Sequence, residues 1–246
     1  MKRFLLKIYS IYGLIVFALT FIALLPFFLL SIFIPSLEKL ASTLNYIWAK
    51  VFFFLLFLNR SQLVWETPLN KRQRYVFCAN HNSFLDIPTI GLMGHNFKFI
   101  GKASLKKVPI WGFMYSKLHI LVDRASLKSK HNSWLKAKEA IQKGFSIVFY
   151  PEGGIITKNP PKMAAFKEGA FRVAVNEQIP VVPITIPYNH LLLPDEKSLL
   201  MHPGVAYMKI HQPIWPQGSD DEAVKKIKQE TRSVIEKELK KHHEDH

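Results

Sequence analysis

The chain has 246 residues, enough for one sizeable domain and an appendage. It carries 33 Lys and Arg against 18 Asp and Glu, a formal charge of +15, which directs attention to polyanionic partners: nucleic acid, anionic lipid or a phosphorylated substrate. Cys78 is the only cysteine, so an intrachain disulfide and a cysteine-built zinc site are both excluded.

Lys2, Arg3 and Lys7 lead into IYSIYGLIVFALTFIALLPFFLLSIFIPSL, residues 8–37, which is uncharged and long enough to cross a bilayer as a helix. A signal peptide has a much shorter apolar core and a small-residue cleavage site, and no such site follows. The leading cations place the N-terminus on the cytoplasmic side if the run inserts. A second run, LASTLNYIWAKVFFFLLFL at 40–58, has Lys50 near its middle and is closed by Arg60. A charge there suits a helix in the interface, or a snorkelling side chain, better than a full span. Pro26 and Pro35 are expected to break or kink the first run. The expectation is a hydrophobic anchor of two helices, residues 1–60, lying in one leaflet or spanning as a pair, with residues 61–246 on the cytoplasmic face. In a bacterium that membrane is the inner one. A single span would put the domain on the opposite side.

Strand-like runs then recur: RYVFCA (74–79), FKFIG (97–101), KLHILV (117–122), FSIVFY (145–150), IPVVPITI (179–186) and VAYMKI (205–210). Helical patterns fall near 86–94, 131–143 and 164–177. A C-terminal amphipathic helix, 219–241, opens with Ser219 and Glu222 as a capping box and carries a stripe of Val224, Ile227, Thr231, Val234 and Ile235. Its KKHHEDH end reads as a frayed tail, although adjacent histidines can bind metal. The alternation predicts an α/β domain, a central mostly mixed sheet flanked by helices, preceded by the N-terminal membrane-embedded helical hairpin.

NHNSFLD, residues 80–86, places His81 five positions before Asp86, and NHLLLPD, residues 189–195, repeats the spacing. Pro88 belongs in a first helical turn, so a helix starts at or just before Asp86. Asp86 then reads as a helix cap, with Ser83 in a capping-box pattern. It also reads as the partner of His81, fixing its tautomer so that the free ring nitrogen acts as a general base. The sequence has no G-x-S-x-G elbow and no H-E-x-x-H motif, and its lone cysteine lies in a strand. A His-Asp base without a protein nucleophile suits direct attack by a substrate hydroxyl on an acyl donor.

With these residues the chain resembles the glycerolipid acyltransferase family that includes lysophosphatidic acid acyltransferases, over roughly residues 75–190. The family's N-H-x-x-x-x-D motif is here Asn80, His81 and Asp86. FIGKASLKKVPIWGFM (99–114) is similar to the segment that follows it, and KLHILVDR ends in Arg124 as the second motif does. The third motif, F-P-E-G-T-R-S, reads YPEGGII at 150–156, FKEGAFRVA (166–174) matches the Lys-x-Gly-Ala stretch, and PVVPITI holds Pro183 of the fourth. The resemblance implies that His81 activates the acceptor hydroxyl with Asp86 as its partner. It implies that Arg124 binds the acceptor phosphate, that Glu152 and Gly153 shape the acceptor pocket, and that Pro183 lines the acyl-donor region. Arg124 also reads as an ion-paired or exposed charge, the glycines as a tight turn, and Pro183 as a strand breaker. Gly154 and Ile155 replace the family's Thr and Arg, removing a hydroxyl and a guanidinium. Lys158, Lys162 or Lys167 are the candidates to compensate; without compensation the acceptor is a lipid other than lysophosphatidate.

The function so implied is transfer of a fatty acyl chain from an acyl thioester to a lysophospholipid hydroxyl, with 1-acyl-glycerol-3-phosphate as acceptor, in phospholipid synthesis. The donor is acyl-CoA or an acyl-acyl carrier protein; no bound cofactor, metal or nucleic acid is expected, and membrane lipids are partners. Lys98, Lys102, Lys106 and Lys107 read as contacts to headgroups or donor phosphates, or as a solvated basic face. The alternatives are another acceptor (a different lysophospholipid, an aminolipid, a lipid A precursor), a lipid hydrolase or thioesterase, and a non-catalytic lipid-binding protein.

Overall fold

The computed structural model describes residues 2–57, 61–157, 159–196 and 199–244, so Arg60 and Lys158 lie outside the described residues. The apolar beginning forms α1 (Lys2–Phe33) and α2 (Leu40–Phe57), joined by a 3-10 turn at Pro35–Leu37. Pro26 is accommodated inside an unbroken α1, whereas Pro35 opens the turn, where its missing N–H leaves no bond unmade. The helices run antiparallel. The Tyr9 and Tyr12 hydroxyls donate to the Leu56 and Leu55 carbonyls, both at 2.8 Å, and the Trp48 indole donates to Thr20 Oγ1 at 3.1 Å. Both are long and apolar enough to cross a membrane.

Seven strands make one sheet: β1 (Ser61–Trp65), β2 (Val76–Ala79), β3 (Phe97–Lys102), β4 (Ile120–Val122), β5 (Ser146–Phe149), β6 (Val181–Thr185) and β7 (Ala206–Ile210). Between and after them lie α3 (Asp86–Gly91), α4 (Trp111–Leu118), α5 (Leu127–Gln142), α6 (Gly169–Asn176), α7 (Asn189–Leu192) and α8 (Asp221–Glu244). The order is β1-β7-β6-β2-β5-β3-β4, parallel throughout except between β6 and β7, hence a mixed α/β sheet.

Alternate residues of β2 serve two cores. Phe77 and Ala79 face the layer of α1 to α4; Val76 and Cys78 face α5, α6 and α8. The strand is buried on both sides, which is why it reads as an unbroken apolar run. Burial also pushes the Cys78 thiol well up, as befits an inert core residue. The hairpin is itself a layer over the sheet: Trp48, Phe52 and Phe53 share a core with Phe77 and Ile184. Each fully buried aromatic there contributes roughly 1.5–3 kcal/mol. The change of composition near residue 60 therefore does not divide the core. The opposite stripe of α1 (Phe4, Ile8, Ile11, Ile15, Leu19 and Ile22) is exposed.

Some local expectations change. KLHILV is a strand only from Ile120, because Trp111, Met114, Tyr115 and Leu118 form a helical stripe that ends inside it. The last helix is capped by Asp220, whose Oδ1 accepts the Ala223 N–H at 2.9 Å, rather than by Ser219. Its end is docked rather than frayed: His242 Nδ1 bonds the Tyr188 hydroxyl at 2.7 Å. Lys98 leaves the basic cluster. It is buried and tethers the hairpin turn to β3 through Glu38 Oε1 at 2.7 Å and the Leu118 carbonyl at 3.2 Å. Lys102, Lys106 and Lys107 stay on the surface.

Candidate active site

Strands β2, β5, β6 and β4 are mutually parallel, so the segments leaving them meet at one edge of the sheet, with β2 between β5 and β6. Asn80 ends β2 by clamping β6. Its Nδ2 donates to the Ile186 carbonyl at 2.9 Å and its Oδ1 accepts the Ile186 N–H at 2.8 Å. A side-chain amide thus extends the ladder and turns the next residue, His81, out of the sheet.

His81 Nδ1 lies 2.9 Å from Asp86 Oδ2. The same oxygen accepts the Asn82 and Ser83 N–H groups at 2.8 and 2.9 Å. Ser83 Oγ in turn accepts the Leu85 N–H at 3.2 Å, while the Asp86 N–H goes to the Ser83 carbonyl, so only the carboxylate half of the capping-box pattern, Asp86 on the Ser83 N–H, is made. The Asp86 carboxylate looks backwards to the motif and caps no N–H of its own helix. It is 1% exposed and His81 is 8% exposed, a setting in which every donor to the carboxylate counts. With Nδ1–H committed to Asp86, Nε2 is the basic nitrogen, and it makes no hydrogen bond among the described residues.

The imidazole lies flat on Tyr150, with centroids 3.9 Å apart and planes at 18°. The contact fixes the orientation of the ring. Tyr150 occupies the aromatic position that opens the third motif, a signal in the sequence that received no role. Burial, then the nearby Asp86 charge, raises its phenol well above the usual range, keeping it neutral. Glu152, fully buried, holds the loop from below: Oε1 accepts the His81 N–H at 2.9 Å and Oε2 the Ala164 N–H at 2.7 Å. Burial raises its proton affinity and the two N–H donors oppose the rise. Glu152 is therefore turned towards the backbone rather than into a cavity.

Beside Tyr150 opens a cavity of about 580 Å³ between α5 and α6, with Arg124, Gly153 and Lys167 in its wall and Trp134, Ala137 and Val173 among its apolar residues. Arg124 and Lys167 make no ion pair among the described residues, whereas Asp123 accepts the Ala125 N–H. Burial lowers the proton affinity of the Arg124 guanidinium, which stays charged and available to an anion. A Cβ on Gly153 would meet Lys167 Nζ at 2.6 Å, and one on Gly154 would lie 3.7 Å from an Arg124 terminal nitrogen. The structure thus brings Arg124, Gly153, Gly154 and Lys167 together, and His81 with Asp86, Glu152 and Tyr150. Lys162 is outside the cavity wall. Pro183 is buried in β6 opposite Cys78, its carbonyl accepting the His211 N–H at 3.0 Å, and it is not in the wall of the cavity that holds Arg124 and Lys167.

Gly154 adopts φ +146, a conformation open essentially to glycine. Restoring the family's residue as Gly154→Thr is expected to cost about 1–3 kcal/mol of stability. It should lower the thermal unfolding midpoint without raising activity; an unchanged midpoint would show that the turn relaxes freely.

Glu66, His211 and Glu238 group their ligand atoms within 4.8 Å. The Lys209 ammonium already bridges the two carboxylates at 3.0 and 2.9 Å, so the cluster carries its own cation.

The Acyltransferase family matches residues 61–187. A 1-acyl-sn-glycerol-3-phosphate acyltransferase of Chlamydomonas reinhardtii is 33% identical over 166 residues, 67% of this chain and 49% of the relative. The chloroplastic 1-acyl-sn-glycerol-3-phosphate acyltransferase LPAT1 of Arabidopsis thaliana is 30% identical over 196 residues, 79% of this chain and 54% of the relative. This chain therefore spans about half the length of these curated relatives. The crystal structure of the 1-acyl-sn-glycerophosphate (LPA) acyltransferase PlsC from Thermotoga maritima superposes with a TM-score of 0.74 at 25% identity, covering 98% of this chain and 95% of that one. With more than half of its length matched and the whole fold shared, the chain belongs to the Acyltransferase family.

Proposed function

We propose that the protein is a membrane-bound O-acyltransferase that moves a fatty acyl chain from an acyl thioester, acyl-CoA or acyl-acyl carrier protein, to the hydroxyl of 1-acyl-glycerol-3-phosphate in phospholipid synthesis. The observation that carries this reading is the buried His81–Asp86 pair stacked on Tyr150, which lines the cavity that also holds Arg124 and Lys167, two cations without an ion pair among the described residues. The names of the relatives point the same way.

His81 Nε2 takes the proton of the acceptor hydroxyl as its oxygen attacks the thioester carbonyl. Asp86 holds Nδ1–H and stabilises the imidazolium that forms, and Tyr150 keeps the ring in plane. The tetrahedral intermediate collapses with cleavage of the C–S bond. The thiolate recovers the proton from Nε2, leaving ester and free thiol. Arg124 and Lys167 engage the acceptor phosphate, a guanidinium offering two parallel N–H bonds.

We place the anchor at residues 1–60 and the catalytic part at 61–246, a functional division laid over a continuous core, with the catalytic part on the cytoplasmic face. One face of α1 is occupied along its length: Ser10 Oγ accepts the Met201 N–H at 2.8 Å, and Phe17 and Phe21 pack on Trp111 with centroids 5.6 and 4.9 Å apart. A helix flanked by its own domain at mid-length suits a hairpin lying in one leaflet, its exposed apolar stripe in lipid.

The test is an acceptor panel with membrane-reconstituted protein and a long-chain acyl thioester. Thiol release is expected only when a lysolipid is present, and fastest with 1-acyl-glycerol-3-phosphate. Arg124→Ala is expected to raise KM for that acceptor about 10- to 100-fold, the worth of one charge-assisted contact of ~1.5–3 kcal/mol. A phosphate-free lysolipid should be unaffected. Thioester cleavage without any acceptor would instead identify a thioesterase, and equal losses on both acceptors would remove Arg124 from the phosphate.

A further inference from the structure

We propose that Asn189, from the second Asn-His pair, is a positioning residue for the dyad: it fixes the free oxygen of the Asp86 carboxylate. This rests on the reading of His81 and Asp86 given above. Asn189 Nδ2 donates to Asp86 Oδ1 at 3.0 Å and to Thr89 Oγ1 at 2.9 Å, and the residue is 1% exposed. Thr89 spends its own proton on the Leu85 carbonyl at 2.7 Å, so its oxygen can only accept from Asn189. That settles which end of the amide faces the carboxylate.

The two similar heptapeptides therefore clasp each other. Asp86 of the first is held by Asn189 of the second, and Ser83 Oγ of the first donates to the Leu193 carbonyl of the second at 2.8 Å. Asp86 Oδ2 receives three donors, from His81, Asn82 and Ser83, whereas Oδ1 receives Asn189 alone among the described residues. Without that donor the carboxylate can gain a better-satisfied arrangement only by turning about its Cβ–Cγ bond. Turning tilts Oδ2 away from His81 Nδ1 and frees the imidazole to rotate off Tyr150. The neighbouring Tyr188 is anchored on the last turns of α8 through His242, so the segment bearing Asn189 is held from behind. Asn189 is 1% exposed and its amide NH2 is taken up by Asp86 and Thr89, so it acts through Asp86 and not on the substrate.

The experiment compares Asn189→Leu and Asn189→Asp with the parent in the full-length membrane-bound chain, measuring kcat, KM and thermal unfolding. Leucine removes the donor; aspartate keeps the shape and sets a second carboxylate against Asp86. Both are expected to lower kcat about 10- to 100-fold with KM for acceptor and donor within about twofold. Should Asn189→Leu fail to fold, Asn189→Asp carries the comparison. If kcat stays within about threefold of the parent in a folded variant, or if KM rises instead, the assignment is overturned. An active His81→Ala variant would overturn the dyad itself, a separate failure.

Discussion

His81→Ala is expected to lower acyl transfer by roughly 10³- to 10⁴-fold while the protein stays folded and in the membrane. The loss is large because the site offers no second base in the same position: Glu152 faces the backbone, and Tyr150 lies under the ring as a neutral phenol. The fold survives because what the motif contributes to it is mostly main chain. The His81 N–H still bonds Glu152, and Asp86 keeps the Asn82, Ser83 and Asn189 donors. His190→Ala is the control and should retain most activity. Its Nδ1 is buried without a hydrogen-bond partner among the described residues, and burial, aided by His243, lowers its proton affinity. Rates on reconstituted membranes together with thermal unfolding decide the matter. If the two alanine variants behave alike, the first histidine has no privileged role.

The contrast between those histidines shows what the sequence carries and what it omits. Runs such as RYVFCA and FSIVFY announce buried parallel strands because apolar residues follow one another from Tyr75 to Ala79 and from Ile147 to Tyr150. The charge-free start announces its helices by length alone. Strand β1 is not legible because SQLVW is short and half-exposed, and α4 is not because its stripe runs into the next strand. The site was readable where its chemistry is local, as in His81 and Asp86, five residues apart. It was unreadable where the fold joins distant segments. Asn189 reaches Asp86 across 103 positions, the Glu152 carboxylate reaches the His81 N–H across 71, and Tyr150 meets His81 only because β2 and β5 are neighbours. Nothing in a local pattern encodes such contacts; the sheet order does.

Asp86→Asn is expected to cost about 10⁴-fold in kcat with little change in KM, more than loss of one negative charge suggests. The donors around the group explain the excess. Three N–H groups converge on Oδ2 and the Asn189 amide points at Oδ1. An asparagine must offer its NH2 to one of these two sides. Facing Asn189 it opposes donor to donor; facing His81 it turns the imidazole to the wrong tautomer, with the proton on Nε2, where the base should be. The first arrangement can be relieved by Asn189→Asp in the same chain, since an acid at 189 accepts from the new amide. The double variant is therefore expected to recover thermal stability relative to Asp86→Asn but not the rate, because no carboxylate then stands on His81 Nδ1. Recovery of kcat to within about tenfold of the parent would show that charge near the dyad suffices wherever it sits, and that the contact between Asp86 Oδ2 and His81 Nδ1 is not what makes His81 a base.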